Sequence, residues 1–223
     1  MAERVAGDVS LDVVTVPTWG ELRRRSPRLL LGIPVLGFGI AMTLQARLGV
    51  SPYDVLHQGL AEKTGLSFGT VVIVVGLVIL LAWIPLRQRP GIGTVINTLT
   101  VGLVIDLALR VLPEPDVLVA RIPLLLGGIA ITALGMGLYI GAGLGPGPRD
   151  GLMTGIAAKG FPLWAVRTVL EVTALVAGWI LGGDVGIGTV AFALGIGPLG
   201  HFFLARLHLG AAPADLGPGT AGE

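Results

Sequence analysis

Residues Leu48–Gly65 read LGVSPYDVLHQGLAEKTG, and Leu144–Gly160 repeat the pattern as LGPGPRDGLMTGIAAKG. A shift of 96 residues lays Leu48 on Leu144, Gly49 on Gly145, Pro52 on Pro148 and Asp54 on Asp150. The same shift carries Leu56, Gly59, Ala61 and Lys63 onto Leu152, Gly155, Ala157 and Lys159. Most of these residues have special backbone or charge properties, and an internal duplication is the simplest explanation. Within the first copy, Ser51, Pro52 and Asp54 fall at the N-cap, N1 and N3 positions of a short helix, where orphan amides and a positive dipole end favour an oxygen acceptor. Gly147, Pro148 and Asp150 repeat this with a poorer cap. Leu56, Leu60 and Ala61 form an apolar stripe beside polar Gln58, Glu62 and Lys63, so the helix is amphipathic and too polar to cross a bilayer unaided.

Working outward, Arg25, Pro27, Leu29, Gly32, Ile33 and Gly39 recur as Arg121, Pro123, Leu125, Gly128, Ile129 and Gly135. After one deletion, Gly91-Ile92-Gly93-Thr94-Val95 returns as Gly186-Ile187-Gly188-Thr189-Val190. Apolar runs at about 29–46, 68–86, 92–112, 122–142, 163–182 and 187–207 are each near the ~20 residues that span hydrocarbon. The expected fold is an all-α membrane protein: six transmembrane helices in two inverted three-span repeats, each with a short amphipathic or re-entrant helix. Three crossings per copy force the second copy to enter from the opposite side. Four crossings, with the short helices spanning as well, would give a parallel duplication, but a charged segment of that length is costly to bury.

The expected divisions are a cytoplasmic tail at 1–28, a first membrane repeat at 29–112, an extracytoplasmic linker at 113–121, a second repeat at 122–207 and a disordered cytoplasmic tail at 208–223. Arg23, Arg24, Arg25 and Arg28 stand before the first apolar run. With that cluster inside, Arg87, Arg89, Arg149, Lys159 and Arg206 are also inside, and Glu114, Asp116 and Asp184 are outside; Lys63, Arg110 and Arg121 are exceptions. The bias favours both termini in the cytoplasm.

Composition agrees. Of 223 residues, 53% are hydrophobic and only 13% charged, with mean hydropathy +0.86, well outside soluble globular usage. The 36 glycines read first as helix-packing residues, of which Gly32 and Gly195 are examples. The lack of cysteine excludes disulfide and thiolate chemistry, and three unpaired histidines argue against a zinc site. No cleavable signal peptide is visible.

LGVSPYDVLHQGL, followed by SFGT and RPGIGTVIN, resembles the YczE/YyaS/YitT group of bacterial integral membrane proteins, and within it the YczE-like branch, over about residues 25–207. The resemblance implies a multi-pass protein of the bacterial plasma membrane with a poorly defined activity and a supposed transport role. The copies differ: Gly147 replaces Ser51, Arg149 replaces Tyr53 and Phe192 replaces Asn97, so a ligand site shared by both copies would be asymmetric.

The substrate-binding candidates are Ser51, Asp54, Asn97, Arg149, Asp150, Arg167 and Glu171. Asp54 and Asp150 are adequately explained as capping acids; alternatively both helix tips point into one cavity, where the acids bind a cation or proton or the amides bind an anion. Arg167 and Glu171 are four residues apart on the fifth span and form an intramembrane ion-pair candidate. Asp106 and His201 occupy equivalent positions near the far interface, where they either face headgroups only or, if they face inward, would relay protons. Asn97, Gln45 and Thr100 read as interhelical hydrogen-bonding groups, and Thr94 and Thr189 as caps of the third and sixth spans.

Gly91-Ile92-Gly93 lacks the third glycine and the preceding strand of a dinucleotide fingerprint. No cofactor, metal or enzymatic chemistry is expected. The partners expected are the lipid bilayer and a small-molecule or ion substrate, not nucleic acid; a homo-oligomer stays open. Two functions compete: a carrier with its site between the halves, and a non-transporting scaffold. A polar mid-membrane cavity where Asp54, Asp150 and Glu171 approach one another discriminates in favour of the carrier, whereas a dry, glycine-packed centre favours the scaffold.

Overall fold

The computed structural model describes residues 18–207 and Leu209. The tails expected at 1–17 and, apart from Leu209, at 208–223 lie outside the described residues. Those described form eight helices: α1 (Trp19–Gln45), α2 (Pro52–Thr64), α3 (Phe68–Leu86), α4 (Ile92–Val111), α5 (Leu118–Gly141), α6 (Pro148–Ala157), α7 (Leu163–Ile180) and α8 (Ile187–Leu207). All but α2 and α6 are long and apolar enough to cross a membrane, giving six candidate spans.

The first helix starts well before its apolar run. Thr18 accepts from the Glu21 amide at 3.4 Å while the Glu21 carboxylate accepts from the Thr18 amide at 3.0 Å, a capping box that starts the helix at Trp19. The arginines at 23–25 and 28 are therefore helical and not part of a tail. The α4–α5 connection, residues 112–117, is also shorter than the linker read from the sequence.

Close approaches at glycines give the helix directions. Gly32 meets Tyr139, Gly39 meets Thr132 and Gly128 meets Thr43, so α1 and α5 run antiparallel along a glycine-lined seam. Gly32 thus faces Tyr139 and not Gly195, which meets Ile129. Along α1, Gly37 touches Val101 and Val104, and further on Gln45 donates to the carbonyls of Leu109 and Leu112, so α4 runs parallel to α1. Gly195 on Ile129 and Gly137 on Phe203 place α8 parallel to α5 in the same way. Gly69 on Gly102 and Gly76 on Thr98 set α3 antiparallel to α4.

The two copies also exchange contacts. The Gly93 amide donates to the Leu144 carbonyl at 2.8 Å, and the Gly188 amide to the Leu48 carbonyl at 2.6 Å. Each GIGT turn therefore latches onto the Leu-Gly step before the short helix of the other copy. Thr94 and Thr189 sit at N3 and not at the cap itself, their hydroxyls accepting from the amides of Gly91 and Gly186. Thr94 also donates to the Pro146 carbonyl at 2.7 Å. The short helices cross over too: α2 packs on α7 through Gly59 and Gly178, and α6 on α3 through Gly151, which lies against Trp83.

At Gly135, a Cβ would overlap the Leu36 backbone, which cannot rotate aside. Gly135→Ala is therefore expected to cost ~1–3 kcal/mol, seen as a lower thermal midpoint in detergent.

Candidate functional site

Beside the α1–α5 seam lies a cavity of about 170 Å³. It forms where the amino ends of α2 and α6 meet. Ser51, Tyr53, Asp54 and His57 come from α2 and its cap, and Gly147, Pro148, Arg149 and Asp150 from α6 and its cap. The Arg149 guanidinium lies 4.9 Å from the Tyr53 ring centroid, a cation–π contact joining the two tips. Asn97 and Thr98 of α4 and Thr132 and Tyr139 of α5 complete the polar lining, with Val101, Ile105, Phe192 and Ile196 among the apolar walls.

The two tips differ in saturation. Ser51 caps α2 by accepting from the Asp54 amide at 3.2 Å, and its hydroxyl donates to Asp54 Oδ2 at 2.5 Å. His57 Nδ1 lies 3.3 Å from Asp54 Oδ1, and the imidazole packs edge-on against Phe68. Both carboxylate oxygens of Asp54 are thus engaged within α2. Ser51 and His57 therefore reinforce the α2 cap through the Asp54 carboxylate. In α6, Gly147 supplies no side chain, and no side-chain hydrogen bond caps the helix.

Three buried polar atoms among the described residues have no hydrogen-bond partner: Asn97 Oδ1, Thr132 Oγ1 and the Tyr139 hydroxyl. Their residues are 7%, 4% and 2% exposed, and all three line this cavity. An unpaired buried polar group costs about 1–3 kcal/mol, and all three of these border the same space. The Tyr139 hydroxyl lies 3.6 Å from where a Cβ on Gly147 would stand, which puts it beside the open tip.

Of the sequence candidates, Ser51, Asp54, Asn97, Arg149 and Asp150 line the cavity. Arg167 and Glu171 do not. They pair with each other on α7 at 3.0 Å, with Arg167 47% exposed. Asp106 accepts from the Ser67 hydroxyl at 2.6 Å and the Gly69 amide at 2.7 Å, so it holds the start of α3. His201 is exposed near the end of α8, toward the opposite end of the bundle from Asp106, so the fold does not bring the two together. Gln45 bridges helices as expected, but Thr100 bonds back to Ile96 in its own helix. Tyr139 and Thr132 were not candidates from sequence. One signal was available: the chain has two tyrosines, and both line the cavity.

Six apolar helices long enough to cross a membrane, with two short helices meeting at a cavity between them, define a multi-pass α-helical membrane protein. The chain belongs to the family of unknown function DUF6198, whose model matches residues 23–205. It is 37% identical over 177 residues to an uncharacterized protein of Haemophilus influenzae, covering 79% of this chain and 81% of that one. It is 35% identical over 178 residues to the uncharacterized membrane protein YczE of Bacillus subtilis (78% and 83%). The uncharacterized protein YyaS of the same organism is 31% identical over 180 residues (78% and 89%). The resemblance read from LGVSPYDVLHQGL and its flanks is thereby borne out for YczE and YyaS. No solved structure matches the chain.

Proposed function

We propose that the protein is a membrane carrier that binds a small solute between two inverted halves. The observation behind this reading is the cavity between the α2 and α6 tips with its three unpartnered polar atoms. The inverted relation is supported by antiparallel α1 and α5 and by the reciprocal latches. A site at the meeting of two half-length helices is a recurring arrangement in secondary transporters.

Orientation follows from charge. The Arg28 guanidinium donates to the Leu207 carbonyl and Arg25 to that of Gly143, so the start of α1 lies with the ends of α8 and α5. Gln88, just beyond α3, meets Gly155 of α6 at this end. It therefore gathers the arginine cluster, Arg87, Arg89, Lys159 and Arg206, while Glu114, Asp116 and Asp184 lie at the other end. This reading puts both described ends of the chain in the cytoplasm.

The test is uptake by proteoliposomes across a metabolite panel, with Asn97→Phe as the plugged control. That exchange copies Phe192, the equivalent residue of the second half, into the cavity wall. For whichever solute moves, the variant is expected to lose at least about tenfold in rate, the effect of ~1.4 kcal/mol. A folded protein that moves no member of the panel favours the scaffold, for which the glycine-packed α1–α5 seam would suffice.

A further inference from the structure

The geometry points to a small zwitterion, an α-amino acid with a compact apolar side chain, as the occupant of this cavity. The assignment rests on the carrier reading and specifies its substrate class. Size comes first: about 170 Å³ is close to the ~150 Å³ of an engineered apolar cavity that accepts benzene. This space suits an organic molecule with a few carbons and is larger than a bare ion needs.

Charge placement narrows the class. The α2 tip is closed by its own Ser51 and His57, so the open chemistry lies at α6. There the amides of Arg149 and Asp150 have no capping side chain, and the positive end of the helix dipole faces the cavity, an arrangement that attracts a carboxylate. The Arg149 guanidinium adds a second anion-binding group. Neither Arg149 nor Asp150 has an ion-pair partner among the described residues. The Asp150 carboxylate, the unpartnered Asn97 Oδ1 and the Tyr139 hydroxyl offer acceptors for an ammonium group beside that carboxylate. The aliphatic walls, Val101, Ile105 and Ile196 among them, take the apolar remainder.

Three probes of one shape separate the contributions: valine, isobutylamine, which lacks the carboxylate, and isovalerate, which lacks the ammonium. Binding to the purified full chain in detergent is followed by titration calorimetry. Valine is expected to bind at least about tenfold more tightly than either analogue, because each analogue forfeits one set of charge-assisted contacts. Asp150→Asn is expected to remove the preference for valine over isovalerate, and Arg149→Gln the preference for valine over isobutylamine. An analogue that binds as well as valine to the unmodified protein would overturn the assignment, as would variants that fold and keep both preferences. Transport of a non-zwitterionic solute without valine binding would overturn it too, while leaving the carrier reading in place. A protein that moves no solute removes both.

Discussion

The double variant Gly91→Ala/Gly186→Ala is expected to lose ~2–6 kcal/mol of stability, twice the usual cost of one overpacked site. A Cβ at Gly91 would overlap the Leu144 carbonyl oxygen, and one at Gly186 would stand 2.5 Å from the Leu48 carbonyl oxygen. Both obstacles are backbone, held by the latching bonds from Gly93 and Gly188, so neither can swing away as a side-chain tip would. Against a total stability of ~5–15 kcal/mol, such a loss unfolds much of the population on mild warming. Gly197→Ala is the control, since nothing lies within 4 Å of its added Cβ and alanine suits a helix interior better than glycine. Thermal unfolding of the three proteins in the same detergent is the measurement. A double variant as stable as the control would mean that the latches do not join the halves.

Asp54→Ala is expected to cost ~2–4 kcal/mol, and Asp150→Ala less than about 1 kcal/mol, although the two aspartates are equivalent in sequence. Removing the Asp54 carboxylate strands the buried Ser51 hydroxyl and the His57 imidazole that it engages. Removing the Asp150 carboxylate strands no side chain, because Gly147 stands where Ser51 stands in the first copy. The same denaturation experiment reads both. Equal losses would show that the tips are equally built in, leaving no open pole at α6 for a ligand.

The legible part of this protein was the part written in local chemistry. Pro52 and Pro148 at N1, each followed two residues later by an aspartate, mark helix starts whatever the surroundings, and the structure starts α2 and α6 there. The six spans were readable because hydrocarbon demands long apolar runs. What the sequence withheld was the partner of each residue across the bundle. For Asp106 the sequence left a headgroup-facing and a relay reading open, and its partners lie at the start of α3, 37 and 39 residues away in the chain. Gly91 and Gly93 were legible as a recurring pair, but only the fold reveals that the space they leave is filled by the Leu144–Gly145 backbone. Thr132 was hidden for a related reason. A threonine hydroxyl in an apolar helix usually satisfies itself on its own backbone, as those of Thr98 and Thr168 do, and nothing in the chain marks the one that does not.

The most direct test uses the absence of native cysteine. Lys63→Cys and Lys159→Cys each place one thiol at the exposed far end of a short helix, α2 and α6 respectively. Intact cells are treated with a membrane-impermeant maleimide, before and after permeabilisation. If the two halves are inverted around the cavity, the thiol at position 63 reacts in intact cells and the thiol at position 159 reacts only once the membrane is opened. Labelling of both from the same side would place α2 and α6 in one leaflet and contradict the inverted carrier.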